Sequence, residues 1–352
     1  MRIHFKRLSL ILHKNDFRSF LTNSNSRTSL TLEELWILKM AADLQEGLTD
    51  FSFQTSGSTG IPKKITLSKD QLIQSAETTL SHFSIKPNAR FLLCIHPQFI
   101  GGAMQIVRAY VNQGQLDILA PERILDLDHT KYDLVSMVPL QLNKLYKDLK
   151  SHLNDFNHLL IGGAMLDPQL EEKIAADPLI IANIYTTYGM TETASHIAVK
   201  RLGSPIFKRI GHLKISKNNS SCLKIKGLIT KNQWLQTQDI VELIDENTFK
   251  WLGRQDYVIN SGGLKVHPEN IEHHLNKQTN QSLMITFLPD EVLGQKVVLL
   301  LEGALIPTFD YSSLHPYEKP KKTLNIKKFI YTKNGKIDRK ATQKLIGKLR
   351  PF

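Results

Sequence analysis

A continuous apolar run at 91–95 and short, mainly apolar stretches at 116–119, 134–138, 159–161 and 180–184 read as buried strands, and the segments between them carry helical patterns, among them 101–110. Ser68-Lys69-Asp70-Gln71 fits an N-terminal capping box, and Leu72, Ala76, Leu80 and Phe83 follow at near-helical spacing, so a helix is expected there. Strands alternating with amphipathic helices predict an α/β domain with largely parallel strands, whose ligands sit beyond the strands' carboxyl ends. Past residue 200 the pieces shorten and turn β-rich, at 223–225, 240–244 and 249–252. A helix at 268–275, strands at 283–288 and 296–301 and a basic tail then suggest a separate unit. The expected fold is α/β: a large N-terminal domain over 1–255 with mainly parallel sheets and helices, and a small mobile α+β C-terminal lid domain over 256–352. No internal repeat or low-complexity tract interrupts this pattern.

Length and composition agree with it. At 352 residues and 41% hydrophobic content the chain suits one large globular domain and a smaller one. A net charge of +12 favours anionic partners, with nucleotides, coenzyme A and nucleic acid as the classes to weigh. The positive residues match no RNA- or DNA-binding signature, so nucleic acid is not expected. Cys94 and Cys222 stand alone, without the spacing of a zinc or redox pair, which suits a reducing cytoplasm. The apolar patch at 8–12 is interrupted by His13, Lys14 and Asp16 before a signal core or membrane span could form, so a soluble cytoplasmic protein is expected.

The chemistry is concentrated in three loops. Thr55-Ser56-Gly57-Ser58-Thr59-Gly60-Ile61-Pro62-Lys63-Lys64 combines glycines that let backbone N–H groups approach an anion, hydroxyl donors and closing lysines. That set suits a polyphosphate, although a polar surface linker has the same composition. It is not the P-loop of kinases and GTPases, because Pro62 stands where that motif needs its second glycine. Gly162-Gly163-Ala164 follows the 159–161 run, and Thr186-Thr187-Tyr188-Gly189-Met190-Thr191-Glu192 follows the 180–184 run. Both fall where the ligands of an α/β sheet bind, and with 55–63 they could line one nucleotide cleft.

In this order the loops resemble those of the adenylate-forming superfamily of acyl-CoA synthetases, adenylation domains and luciferases. Residues 55–63 look like its phosphate loop and Tyr188-Gly189-Met190-Thr191-Glu192 like its Y-G-x-T-E segment. Gly253-Arg254-Gln255-Asp256 and Ser261-Gly262-Gly263 resemble its hinge and following glycine loop, and Asn334-Gly335-Lys336-Ile337-Asp338-Arg339 the tail with its catalytic lysine. The resemblance implies a two-step reaction in which a carboxylate and ATP give an acyl-adenylate, from which a thiol such as that of coenzyme A displaces AMP. It implies catalytic roles for Lys336, Thr191 and Glu192, with Glu192 holding Mg2+. Nucleotide contacts are implied for Thr55, Ser56, Gly57, Ser58, Thr59, Gly60 and Lys63. Gly163 and Ala164 would line the adenine, Tyr188 would stack on it beside Gly189, and Asp239 would take the ribose hydroxyls near Arg254. Asp256 would be the pivot of the lid, and Gly262 and Gly263 would let the pantetheine arm of coenzyme A pass.

Arg108 bears on the acid. It lies in the largely apolar stretch 100–110, where an unpartnered charge is costly unless its stem reaches the surface or a second carboxylate on the substrate pairs with it. Its spacing after Gly102, and the run 188–196, are most similar to o-succinylbenzoate-CoA ligases of menaquinone synthesis, whose substrate is an aromatic keto-diacid. On that resemblance Arg108 reads one acidic end, and Phe99 and Gly102 flank the ring. Three positions depart from the pattern: the phosphate loop begins already at residue 55, Gln238 stands where glycine is usual, and Phe99 stands where many acyl-CoA ligases have histidine. Another aryl- or acyl-adenylating enzyme with a carrier-protein acceptor, and a catalytically silent nucleotide-binding module, stay open as alternatives.

Overall fold

The computed structural model describes residues 1–23, 29–54, 63–331 and 337–348. Its larger sheet has thirteen strands and changes character part-way across. On one side the strands Arg2–Phe5, Gln115–Ile118, Arg90–Leu93, Tyr132–Met137, Phe156–Ile161 and Asn183–Gly189 pair in parallel. Leu10–His13 closes that side antiparallel to Arg2–Phe5. From Asn183–Gly189 onward every pairing is antiparallel, through His196–Arg201, Ile206–Arg209, Thr248–Arg254, Leu235–Leu243, Cys222–Lys226 and Lys214–Lys217. The sheet is therefore mixed, with the parallel expectation holding for the strands that alternate with helices.

The apolar runs explain that division. A strand covered by helices on both faces must be apolar at successive positions, not at alternate ones. Phe91 and Leu93 pack on one face with the helices Leu32–Glu46, Lys69–His82 and Ile100–Asn112, whereas Leu92 and Cys94 pack on the other with Pro139–Asp148 and Pro168–Ala176. Leu160 likewise joins the first face, and Leu159 and Ile161 the second. The helix Lys69–His82 starts where its capping box says it should: Ser68 Oγ accepts the Gln71 N–H at 3.3 Å and Gln71 Oε1 accepts the Ser68 N–H at 3.0 Å.

One expected boundary moves. The strand read at 180–184 runs instead over Asn183–Gly189, so Thr186, Thr187, Tyr188 and Gly189 belong to a strand and not to a loop. Residues 180–182 precede it, and Ile181 is exposed. Pairing with His196–Arg201 on the antiparallel side carries the polar segment into the sheet, an interaction that local apolarity does not signal.

After Thr248–Arg254 the chain passes through the one-turn helix Gln255–Tyr257 into a second sheet of five strands. Ile259–Ser261 and Leu264–Val266 form a hairpin, Leu283–Asp290 pairs with Gly294–Glu302, and Lys322–Ile326 adds in parallel. The helix Pro268–Asn276 covers one face of this sheet and Arg339–Lys348 the other. The helix Pro268–Asn276 joins the second sheet to the first part of the chain: Gln169 of Pro168–Ala176 donates to Asn276 O at 3.0 Å, and the Arg254 N–H donates to Glu269 Oε1 at 3.2 Å. Among the described residues no helix is long and apolar enough to cross a membrane.

Candidate active site

The carboxyl ends of the parallel strands open along one edge. Past Ile161 the chain leaves through Gly162, whose N–H donates to Met137 O at 3.1 Å, into the exposed pair Gly163 and Ala164. Thr187 Oγ1 donates to Ile161 O at 3.2 Å, so the end of Asn183–Gly189 lies beside that loop.

Tyr188 and Asp239 meet at the same edge. The tyrosine hydroxyl donates to Asp239 Oδ2 at 2.8 Å, and Trp251 Nε1 donates to Oδ1 at 3.1 Å. Arg254 brings positive charge 3.8 Å from Oδ1 and donates to Asp256 Oδ2 at 2.8 Å. Burial first, then the charge of Asp239 and the hydrogen bond to it, push the Tyr188 phenol well above its usual range, so it remains a donor. Each Asp239 oxygen thus has one protein donor and keeps a lone pair for another. The Tyr188 ring is in T-shaped contact with Phe249 and Phe207, with centroids 5.2 and 5.9 Å away.

Two glycines of the expected site have local reasons. A Cβ on Gly189 would lie 2.2 Å from Ser195 O, where the next strand folds back across it with a register shift. A Cβ on Gly102 would lie 2.3 Å from His96 O, because the helix Ile100–Asn112 starts against the turn at His96 and Pro97. Phe99 is the N-cap residue of that helix, half-buried, and its ring meets His96 at 6.2 Å. Phe99 and Arg108 are nine positions apart, about 13 Å along the axis, so Phe99 sits at the start of the helix and Arg108 in its second half.

Thr191 and Glu192 occupy the single turn Thr191–Thr193, with Thr191 buried and Glu192 half-buried. Among the described residues the Glu192 carboxylate has no hydrogen bond or ion pair. This turn packs beside the strand Lys64–Ser68, whose end Lys64 pairs with Gln54. Thr55, Ser56, Gly57, Ser58, Thr59 and Gly60 lie outside the described residues, as does Lys336; Lys63 is described and exposed.

Arg108 is only 1% exposed, so its stem does not carry the charge to the surface. Its Nη2 donates to Ser195 Oγ at 2.8 Å, its Nη1 to Gln105 Oε1 at 3.1 Å, and its Nε has no partner. No carboxylate of the described residues lies in ion-pair reach of it. Burial brings its pKa down to about 9, which still leaves it charged at neutral pH. Hydrogen-bond bookkeeping fixes the neighbouring imidazole. Thr79 Oγ1 donates to Ser75 O at 3.0 Å, so it must accept from His196 Nε2 at 3.3 Å. The ring proton is therefore on Nε2, and Nδ1 accepts from the Ser195 hydroxyl at 3.2 Å. Burial, followed by the positive charge of Arg108, holds His196 well below its usual range and neutral.

Asp256 lies in the connection between the sheets, and Gly262 and Gly263 form the two-residue turn of the hairpin, with φ of 60° and 82°. The structure thus gathers Gly163, Ala164, Tyr188, Gly189, Asp239, Arg254 and Asp256 at one edge. A surface recess beside Ser81–Asn88 and Val111–Gln113 lies elsewhere and contains none of these residues. Sequence reasoning passed over Gln105, Ser195, His196 and Trp251 as partners. Ser195 and His196 are signalled by their place in the run 188–196, which does not say what they bind, and Trp251 carries no signal.

A family model described as AMP-binding enzyme matches residues 49–218. An acyl-CoA synthetase (AMP-forming)/AMP-acid ligase II-like protein from Dyadobacter fermentans is 31% identical, with a TM-score of 0.61 over 92% of this chain and 99% of that one. The chain belongs to the AMP-binding enzyme family. The chain is also 24% identical over 305 residues to a 2-succinylbenzoate-CoA ligase of Oceanobacillus iheyensis, covering 77% of this chain and 61% of that protein. Its fold is that of the O-succinylbenzoate coenzyme A synthetase (MenE) from Bacillus subtilis in complex with ATP and magnesium ion. The TM-score there is 0.73 at 20% identity, over 83% of this chain and 69% of that one. The chain spans about three fifths of the length of the curated relatives it matches first, 61% and 63%.

Proposed function

We propose that this AMP-binding enzyme is an AMP-forming acid-CoA ligase that converts o-succinylbenzoate, ATP and coenzyme A to o-succinylbenzoyl-CoA, AMP and pyrophosphate, in the cytoplasm and in menaquinone biosynthesis. The observation that carries the substrate is Arg108, a buried cation that among the described residues has no carboxylate opposite it and no partner on Nε. Removing a guanidinium from water without a counter-charge costs several kcal/mol, and a diacid substrate offers the missing carboxylate. The names of the curated relatives support the same acid.

The reaction joins two anions, so charge must be neutralised and geometry held. In the first step a carboxylate oxygen attacks the α-phosphorus, forming the acyl-phosphate bond as the bond to pyrophosphate breaks. In the second the coenzyme A sulfur attacks the acyl carbon, and the bond to AMP breaks. Asp239 orients the ribose, with Tyr188 and Trp251 fixing its carboxylate. Thr191, Lys336 and residues 55–60 meet the phosphates. Glu192 suits Mg2+, which keeps much of its water and phosphate shell and needs only one or two carboxylates; bound there, the ion would neutralise phosphate charge. Asp256 is the pivot about which the lid turns to exchange Lys336 for the Gly262–Gly263 turn between the steps.

ATP-pyrophosphate exchange tests this. Exchange is expected with o-succinylbenzoate and much less with the analogue lacking the aromatic carboxylate. Exchange with other acids alone would overturn the substrate, and none with any acid would overturn the activity.

A further inference from the structure

The opposite edge of the parallel sheet carries a second cluster that the ligase reaction does not use. His129 lies just before the strand Tyr132–Met137, and His152 and Asp155 lie on the 3-10 segment Lys150–Asp155 that leads into Phe156–Ile161. His152 and Asp155 are buried, at 7% and 4% exposure, and His129 covers them from the solvent side. Both imidazoles aim Nδ1 at the same carboxylate oxygen: Asp155 Oδ2 is 3.0 Å from His152 Nδ1 and 3.3 Å from His129 Nδ1. The two rings are stacked, with centroids 4.2 Å apart and planes 11° from parallel. One donor atom from each residue lies within 4.8 Å of the other two.

We propose that His129, His152 and Asp155 bind one Zn2+ ion, or a similar transition-metal dication, in a site separate from the Mg2+ of the ligase chemistry. Three points carry it. Two imidazoles and a carboxylate are a donor set that suits zinc, whereas Mg2+ and Ca2+ prefer oxygen alone. In a tetrahedral site with bonds of about 2.0 Å, neighbouring donors are about 3.3 Å apart; the two pairs through Asp155 Oδ2 stand at 3.0 and 3.3 Å and the third within 4.8 Å, so the stacked imidazoles need only tilt toward each other to take the ion. The second carboxylate oxygen is already held, since Lys131 Nζ donates to Asp155 Oδ1 at 2.8 Å and to Asn154 O at 3.1 Å. That lysine would stay as an outer partner orienting the carboxylate while its charge weakens the site.

The cluster sits at the amino ends of strands whose carboxyl ends face the nucleotide edge. A strand of six residues separates the two, about 20 Å. The ion would pin the segment before Tyr132 to the segment before Phe156 and would take no part in adenylation.

The test uses the full chain, stripped with chelator and titrated with Zn2+ in the presence of Mg2+, so that it reads binding and not activity. One Zn2+ per chain and a rise in melting temperature are expected. His129→Ala, on the exposed side of the cluster, is expected to weaken Zn2+ binding by at least about tenfold with the metal-free fold unchanged, as is His152→Asn. Lys131→Met is expected to tighten it. Absence of Zn2+ binding, or binding that neither histidine variant weakens, would overturn the proposal and show the cluster to be a hydrogen-bonded network only. Co2+ substituted for Zn2+ gives an independent reading, with visible absorption bands of a tetrahedral site in the native chain and their loss in His129→Ala.

Discussion

Arg108 shows what a single residue can set within a helix. Its guanidinium is held by Ser195 and Gln105, and Ser195 is held in turn by the Nδ1 of a neutral His196. Replacement by methionine keeps much of the volume and removes the charge, so the fold should survive. Arg108→Met is expected to raise KM for o-succinylbenzoate by about 10- to 100-fold, in line with the loss of one buried charged hydrogen-bonded pair. KM for ATP should change little. Equal KM effects on the diacid and its monoacid analogue would remove Arg108 from acid recognition. The cost of charge in an apolar helix could be read from the sequence alone; its partners could not, because Ser195 is 87 positions away. Asp239 is similar: the resemblance singles out the residue, but nothing in the sequence announces the indole of Trp251 on its second oxygen.

Among the elements, those with local signals were the readable ones. The helix Lys69–His82 announces itself through Ser68 and Gln71, and Ser68→Ala should destabilise the protein by about 1 kcal/mol in urea unfolding. Phe91, Leu92 and Leu93 in one strand, and Leu134 and Val135 in Tyr132–Met137, are apolar at successive positions because both faces are covered. The end of Asn183–Gly189 was misread because Thr186 and Thr187 are polar and enter the sheet by pairing with Lys200 and Val199. There Gly189→Ala forces a methyl against Ser195 O, and a loss of about 1 to 3 kcal/mol is expected in the same measurement. A substitution there without effect would mean that the strand crossing can relax. The hairpin Arg2–Phe5 with Leu10–His13, and the helix Leu32–Glu46, went unread because basic residues and a weak apolar pattern obscure them.

At the scale of the whole molecule, Glu269 joins the two sheets. One of its oxygens accepts the Arg254 N–H beside the proposed pivot, and the other is buried without a hydrogen bond. Arg339, Glu272 and Tyr257 lie around it, with Arg339 paired to Glu272 and over the Tyr257 ring at 4.9 Å. Burial first, opposed by Arg339 and helped by Glu272, raises the Glu269 pKa from 4.5 to about 7. The folded state therefore keeps a proton that the unfolded chain releases near pH 4.5. The stability tied to that proton is full below pH 4.5 and is lost as pH rises to about 7, by about 3 kcal/mol. Glu269→Gln should abolish that slope in melting curves taken between pH 5 and about 8. An unchanged slope would assign it to other groups.

One strand belongs to both halves of the larger sheet. Asn183–Gly189 is parallel to one neighbour and antiparallel to the other, so amides along both of its edges are engaged. If the lid unlatches between the two steps, this seam must stay shut while the second sheet moves. In deuterated water its backbone protons should be among the slowest to wash out, lagging those of Ile259–Ser261 by orders of magnitude. Comparable rates in the two segments would mean that the larger sheet opens as readily as the smaller.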